Sequence, residues 1–407
     1  MSPSTTQARQ KKKRPGTELL KVTVNSKEFL KACAVVAQAI NTRPVVPVYG
    51  YIRVELSEGK LFFCGSNLNQ TVKTSFEHTS EANGSFLFPA DIGLNLLRSL
   101  PDGPIGIGHF VNSETQTTTT TGGTSTVTQD AYRLELEIDG KFYILETENP
   151  KDYSIPVKPT EYQEIYLTVH ELTKSMTYCK DSVISEKAGR PSLEGILISI
   201  VGESLTVVSS DASVLIERKT LIQNSDGIST QATVPVGFAN LLSIFSAEIA
   251  AVRFHSNSLE VSDGTSTVET LVCAEPFPDY APLLPKSSVS EVLLSMESLK
   301  STFSRSAFFA DKTSGTTKLS FSENELLVEV PPGAYSNESL ESIEIAQWSG
   351  PSADVWLNIH KASRILSKVH SQDVEIKLNG WMRPVMVHPK SDPGLTILVM
   401  PVDPEKL

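Results

Sequence analysis

FLFPADIGLNLLRSL, residues 86–100, is the stretch that decides the fold: an extended entry runs into an amphipathic helix, with Pro89 at the junction. A proline is harmless there, because the first helical turn leaves its N–H unpaired and favours the fixed φ. The same pattern returns in ATVPVGFANLLSIFS (232–246), with Pro235 at the junction. It returns again in VWLNIHKASRILSKV (355–369), where Asn358, a good N-cap, takes the matching place. A second helix series precedes each copy. SKEFLKACAVVAQAI (26–40) sets Phe29, Leu30, Cys33, Val36 and Ile40 on one face, and TVHELTKSMTYCKDSV (168–183) and SMESLKSTFSRSAFF (295–309) carry similar stripes. Between the two helices of each unit lie alternating strand patterns: GKLFFCGSNLNQTVKTSF (59–76), ESLTVVSSDASVLIERKT (203–220) and TKLSFSENELLVEV (317–330).

Corresponding elements recur every ~125–145 residues, a domain-sized period rather than a solenoid one. The expected architecture is therefore α+β: three similar domains in tandem, each with two helices packed on antiparallel sheets. Boundaries fall in the Pro-bearing stretches IPVKPTE (155–161) and LLPKSSVS (283–290), giving domains at 19–158, 159–287 and 288–407. Residues 1–18 are basic and aperiodic, a disordered arm that serves either as a solubilising tail or as a weak nucleic-acid contact. NSETQTTTTTGGTSTVTQ (112–129) lies between two strand-like runs and reads as a long hairpin loop with a mobile tip.

Composition narrows the classes. Of 407 residues, 40% are apolar and 20% charged, which excludes global disorder. No apolar run approaches the ~18 residues of a membrane span, and the N-terminus lacks the apolar region of a secretory signal. Cys33, Cys64, Cys179 and Cys273 are far apart without a CxxC pair, which points to reduced thiols in the cytoplasm and to no zinc site.

The formal charge of −11 is unevenly spread. Arg9, Lys11, Lys12, Lys13 and Arg14 lie in the arm, so the rest of the chain stands at −16. Over the six expected helices and their flanks, fourteen basic groups meet seven acids, a layer of about +7 against roughly −23 elsewhere. Lys/Arg-rich helix exteriors often serve solubility alone. The matching acidity elsewhere suits a body with one face toward phosphates and the other toward solvent.

Four segments resemble the bacterial sliding clamp family, the beta subunit of DNA polymerase III. They are NTRPVVPVYGYIRVEL (41–56), FLFPADIGLNLLRSLPDG (86–103), AGRPSLEGILISIVGESLTVVSSDASVL (188–215) with EPFPDYAPLLPK (275–286), and the C-terminal LVMPV (398–402). The likeness runs from about residue 19 to the end. It implies two identical subunits meeting head to tail in a six-domain ring, with helices lining a central hole for duplex DNA. A heterologous contact whose rotation closes makes such a ring. By resemblance, Arg43 and Arg190 would face DNA, with Lys27, Lys31, Lys174 and Arg305 as weaker candidates.

The resemblance also implies a peptide-binding cleft for polymerase and clamp-loader subunits. Carried over, its lining would be Leu193, Ser210, Leu215, Pro278, Leu283, Phe303, Asn358, Met382, Pro384, Leu398, Val399, Met400 and Pro401. Several departures stand out. The family's Thr-Asp-Gly-His-Arg-Leu is replaced by Ser210-Asp211-Ala212-Ser213-Val214-Leu215, a more apolar wall. Ala90-Asp91 and Val236-Gly237 replace a usual basic pair, and the chain ends VDPEKL. A clamp-fold scaffold that binds peptides but no longer encircles DNA is the alternative.

An enzyme reading finds no site. GPIGIGHF (103–110) lacks dinucleotide-loop spacing, and no GxxxxGK[ST], HExxH or GxSxG occurs. Asp211 and Asp279 fall in expected turns, where aspartate usually bonds its own backbone. The expectation is a non-catalytic protein without metal or cofactor.

Overall fold

The computed structural model describes residues 16–80, 82–120, 123–184, 189–224, 227–332 and 338–403, with backbone alone at 114–120 and 123–129. The basic arm before residue 16 and the last four residues, both used in the sequence reading, lie outside the described residues.

Six strand-to-helix entries recur along the chain. Thr17–Asn25 leads into α1 (Ser26–Val36), Gly84–Pro89 into α2 (Ala90–Ser99), and Gln163–Thr168 into α3 (Val169–Cys179). Thr230–Pro235 leads into α4 (Phe238–Leu241), Ser290–Ser295 into α5 (Met296–Phe309), and Ala353–Asn358 into α6 (Ile359–Leu366). Three entries are capped by side chains: Asn25, Ser295 and Asn358 each accept backbone N–H groups of the first turn. Pro89 takes the N-cap position of α2 with φ −63°.

The helices bury the faces their spacing demands. In α1, Phe29, Cys33 and Val36 are buried and Leu30 is half-buried; the α-helix stops at Val36 and continues as one 3-10 turn, beyond which Ile40 is half-buried. Phe29 meets Phe63 and Phe88 edge to face, both at 5.3 Å, at the centre of the core. The helix expected within 232–246 is the shortest, four α residues followed by a 3-10 turn. It has no side-chain cap, and Ser243 Oγ donates back to the Asn240 carbonyl in competition with the helix ladder.

Two compact units divide the chain. One extends to Val157 and takes in Thr265–Val268; the other comprises Lys158–Gly264 and Glu269 onward. In the first unit, Thr17–Asn25, Pro104–Thr120, Gly123–Ile138 and Lys141–Thr147 pair in that order as an antiparallel sheet. Gly84–Pro89, Tyr51–Ser57, Lys60–Ser66 and Gln70–Glu77 form a second run. The Thr-rich stretch read as a loop is instead ladder: pairing runs unbroken from Gly106↔Glu137 to Thr120↔Gly123. Threonine is β-branched and prefers the extended chain, so low complexity here reports strand rather than loop. The tip at 121–122 lies outside the described residues.

The second unit holds the other two copies of the repeat, joined by one continuous sheet. Gly195–Val201, Ser204–Ser210 and Val214–Leu221 pair in turn, and Val214–Leu221 continues onto the C-terminal strand Leu395–Val399. That strand pairs on its other side with Val385–Pro389, and so on through Asp373–Leu378 to Ser290–Ser295. The strand Leu395–Val399 thereby becomes a structural link between the second and third copies.

Candidate functional site

The turn after Ser204–Ser210 organises this link. Asp211 Oδ1 accepts the N–H groups of Ser213 (2.9 Å) and Val214 (2.8 Å), an aspartate-closed turn that places Ala212 at φ +69°. Ser210 Oγ donates to the Val214 carbonyl at 2.9 Å and accepts the Ala212 N–H at 3.1 Å. Lys361, in the first turn of α6, donates to Asp211 Oδ2 (3.0 Å) and Ser213 Oγ (2.8 Å). The Met400 N–H donates to the Ser213 carbonyl, and the Val402 N–H to that of Trp356, both at 2.8 Å. Asn358 caps α6 through the Lys361 N–H (3.0 Å), and its amide donates to the Ser314 carbonyl (2.7 Å).

Beneath this turn lies an apolar floor of Leu197, Val208, Leu215, Met386 and Leu398, all buried, with Phe277, Tyr280, Leu284 and Met400 packed half-buried against it. The Phe277 and Tyr280 rings meet edge to face at 6.2 Å. Tyr280 donates its hydroxyl to Glu217 at 2.8 Å, and Glu217, itself buried, is also paired with Lys219 at 3.0 Å. Burial first, and the Glu217 charge next, hold the Tyr280 phenol well above its ordinary range, so it remains a donor. The result is an apolar surface with a fixed polar rim, suited to apolar side chains of an extended peptide.

The sequence-derived cleft residues scatter around this floor. Leu215, Leu398 and Met400 belong to the cluster, and Ser210 and Asn358 shape its turn and helix entry. Val399 pairs with Val214 and Val385; Pro384 is buried and Pro401 half-buried beside them. Leu193 is buried in the short turn Pro191–Leu193, and Phe303 is buried within α5. Pro278, Leu283 and Met382 are exposed, and the cluster takes Phe277, Tyr280 and Leu284 in the positions where Pro278 and Leu283 were expected. Two aromatics three residues apart in the proline-bounded FPDYAPLLP were the available signal. Lys361 was missed as well, since only its distant partners reveal its role.

The cations divide into two sets. Arg43, Arg190 and Lys31 are exposed and have no ion-pair partner among the described residues. Lys27 donates to the Leu100 carbonyl at 2.9 Å. Arg305 Nε is held by both oxygens of Glu341, at 3.1 and 3.0 Å. Lys174 is paired with Asp392 at 2.8 Å inside a network in which buried Arg218 also binds Asp392 (3.2 Å), Glu171 (2.7 Å), Ser175 (2.8 Å) and Thr220 (2.9 Å).

Repeated strand–helix units whose sheets join edge to edge define a clamp fold. The family description "DNA polymerase III beta subunit, N-terminal domain" matches residues 20–136, and "DNA polymerase III beta subunit, C-terminal domain" matches residues 281–403. Together these matches span more than half of the chain, and the chain belongs to the DNA polymerase III beta subunit family, the sliding clamps. The beta sliding clamp of Haemophilus influenzae is 21% identical over 388 residues, covering 94% of this chain and 100% of the relative. That of Chlamydia trachomatis is 22% identical over 340 residues, covering 81% and 77%. The crystal structure of the Pseudomonas aeruginosa subunit shares the fold at a TM-score of 0.83 with 18% identity, covering 94% of this chain and 100% of that one.

Proposed function

We propose that two copies of this chain close head to tail into a ring around duplex DNA, and that the ring tethers polymerase and clamp-loader subunits by linear peptides seated at the apolar junction. It does so in the cytoplasm, without chemistry of its own and without a cofactor. Among the described residues no helix is long and apolar enough to cross a membrane. The observation that supports the peptide role is the half-exposed apolar layer of Phe277, Tyr280, Leu284 and Met400 packed over the buried floor of Leu215, Met386 and Leu398.

Ring closure is supported by open edges. Lys141–Thr147 ends its sheet, so one side of its backbone is unpaired within the unit. In the third copy, Phe308 at the end of α5 is 83% exposed and Leu340 on Ser339–Ser349 is 67% exposed. Such edges favour pairing with a second chain. Of the six candidate cations, Arg43, Arg190 and Lys31 have no ion-pair partner among the described residues and can meet phosphates; Lys27, Lys174 and Arg305 already hold partners and add less. Phosphate contacts without base readout give weak, salt-sensitive binding to short linear duplex. Retention on a closed circle is topological and survives salt.

The test combines light scattering at micromolar concentration with retention on circular and linear DNA at rising salt. A dimer retained on circles alone is expected. A monomer, or equal salt sensitivity on both forms, counts against the ring.

A further inference from the structure

One strand of the second copy keeps an open edge that neither the ring nor the peptide junction uses. Gln163–Thr168 pairs on one side only, with Ile249–Phe254. The Val169 N–H donates to the Glu248 carbonyl at 2.9 Å, so antiparallel alternation turns the backbone groups of Glu164, Tyr166 and Thr168 to the open side. Across from them, the Ile222 N–H donates to the Glu203 carbonyl at 2.9 Å, which turns the backbone of Leu221 into the same gap. The groove between the two edges has a volume of about 610 Å³.

The other two copies close this place. The Ile345 N–H donates to the Asn324 carbonyl as that of Ile222 does to Glu203, and the third copy's chain then runs on as a strand. It pairs with Ser290–Ser295, Leu293 opposite Gln347 and Glu291 opposite Ser349. Counted back from the helix entry, Leu293 and Glu291 hold the positions of Tyr166 and Glu164. In the first copy His78 stands where Ile222 does, its N–H on the Gly59 carbonyl, and its Nε2 donates to the Thr23 carbonyl at 2.8 Å. In the second copy the Asn224 amide donates to the Gly202 and Ile228 carbonyls, at 2.7 and 2.8 Å, and holds the chain in a loop. No strand pairing spans the gap among the described residues.

We infer that this gap takes an extended peptide as an added strand, one that carries apolar residues flanked by lysine or arginine. Such a strand binds through main-chain hydrogen bonds and draws specificity from its alternate side chains. The groove offers it Leu205, Ile222 and Ile228, and Tyr166 and Leu221 stand 63% and 86% exposed along the two edges. The charge is one-sided. Glu164 and Glu171 line the groove, and no lysine or arginine does. Those two carboxylates are held by Arg253 at 2.5 Å and Arg218 at 2.7 Å, but the adjoining Glu203 and Glu248 are exposed and have no ion-pair partner among the described residues. Such a rim attracts cationic segments and repels acidic ones. The gap is separate from the peptide junction, since Leu221 lies about 20 Å along its strand from Leu215.

The probe is a fluorescein-labelled peptide, Lys-Ile-Ala-Gln-Trp-Lys-Lys, whose middle repeats residues 345–348, from the strand that closes the third copy. Titration of the full chain in 50 mM NaCl should give micromolar binding, at least about tenfold weaker when glutamates replace the lysines. Bound probe should slow amide exchange at least about fivefold at Tyr166, Thr168 and Leu221, but not at Ile165 and Leu167, whose N–H groups already face Ile249–Phe254. Tyr166→Pro removes one gap-facing donor, a change an edge strand tolerates, and should weaken the probe at least about fivefold while leaving a Leu- and Phe-bearing peptide at the junction unaffected. Met400→Ala should leave probe affinity unchanged. The exchange measurement uses the unaltered chain, so it decides the matter whether or not Tyr166→Pro folds. Unslowed exchange at the three amides, equal affinity for the lysine and glutamate peptides, or loss of probe binding in Met400→Ala overturns the inference.

Discussion

Asp392→Ala probes the polar lock between the second and third copies. The carboxylate is shared by Arg218 Nε at 3.2 Å and Lys174 Nζ at 2.8 Å, and Asp392 and Arg218 are only 7% and 5% exposed. Removing one member of a buried pair costs about 3–5 kcal/mol, because the remaining charge stays in a poor medium. Arg218 keeps Glu171, Ser175 and Thr220, which places the expected loss near the lower end, about 3 kcal/mol. Trp348, Trp356 and Trp381 are the chain's three tryptophans and all lie in the second unit, so urea unfolding followed by fluorescence reads that unit. With a slope of about 3 kcal/mol/M, the midpoint should fall by about 1 M. Lys174→Ala leaves the Arg218–Asp392 pair intact and removes an ammonium that is one-third exposed, so it should move the midpoint by no more than about 0.3 M. Asp392→Ala also releases the Lys174 ammonium, so the salt slope of DNA binding should not fall. Equal midpoint shifts for the two variants would refute the argument that burial sets the cost.

At the junction, Met400→Ala should weaken a Leu- and Phe-bearing peptide by about tenfold in a fluorescence titration, and unchanged affinity would remove Met400 from the site. Tyr280→Phe deletes a hydrogen bond to a buried carboxylate and should cost about 1.5–3 kcal/mol of stability by urea unfolding. Gly315→Ala should cost about 1–3 kcal/mol by the same measurement, since φ is +59° and the new Cβ would strike His360 Cδ2 at 2.7 Å and Asn358 Oδ1 at 2.8 Å. His109 is buried, and desolvation lowers its imidazole below the ordinary value of 6.5. The unfolded chain therefore binds the proton more readily, and stability should be full above about pH 6.5 and fall as pH drops below it. His109→Leu should flatten that fall, as read by hydrogen exchange over 104–113.

Much of the architecture was legible in the sequence. The strand-to-helix entries at Pro89 and Asn358 depend on caps and backbone preferences acting within one turn, so short segments declare them. The polarity of the Thr-rich segment reads as loop, but β-branched threonine favours the extended chain, and the pairing partner lies on the same hairpin. The apolar spacing of 232–246 predicts a longer helix than forms: four α residues pass into a 3-10 turn at Leu242.

The sequence by itself determined the domain-sized repeat, the alternation of strands and helices, and the concentration of basic residues on the helical segments. All of these rest on local periodicity and composition. Only the tertiary structure decided which cations are free and which residues make the apolar floor. Arg218 and Asp392 are 174 positions apart, and Lys361 and Ser213 are 148 apart. Tyr280 finds Glu217 across 63 residues. The Arg218–Asp392 contact follows from the pairing of the C-terminal strand Leu395–Val399 with Val214–Leu221, whose register sets Arg218 opposite Leu395. Short-range patterns carry no record of that register, because it is the sum of many ladder and packing energies along both strands.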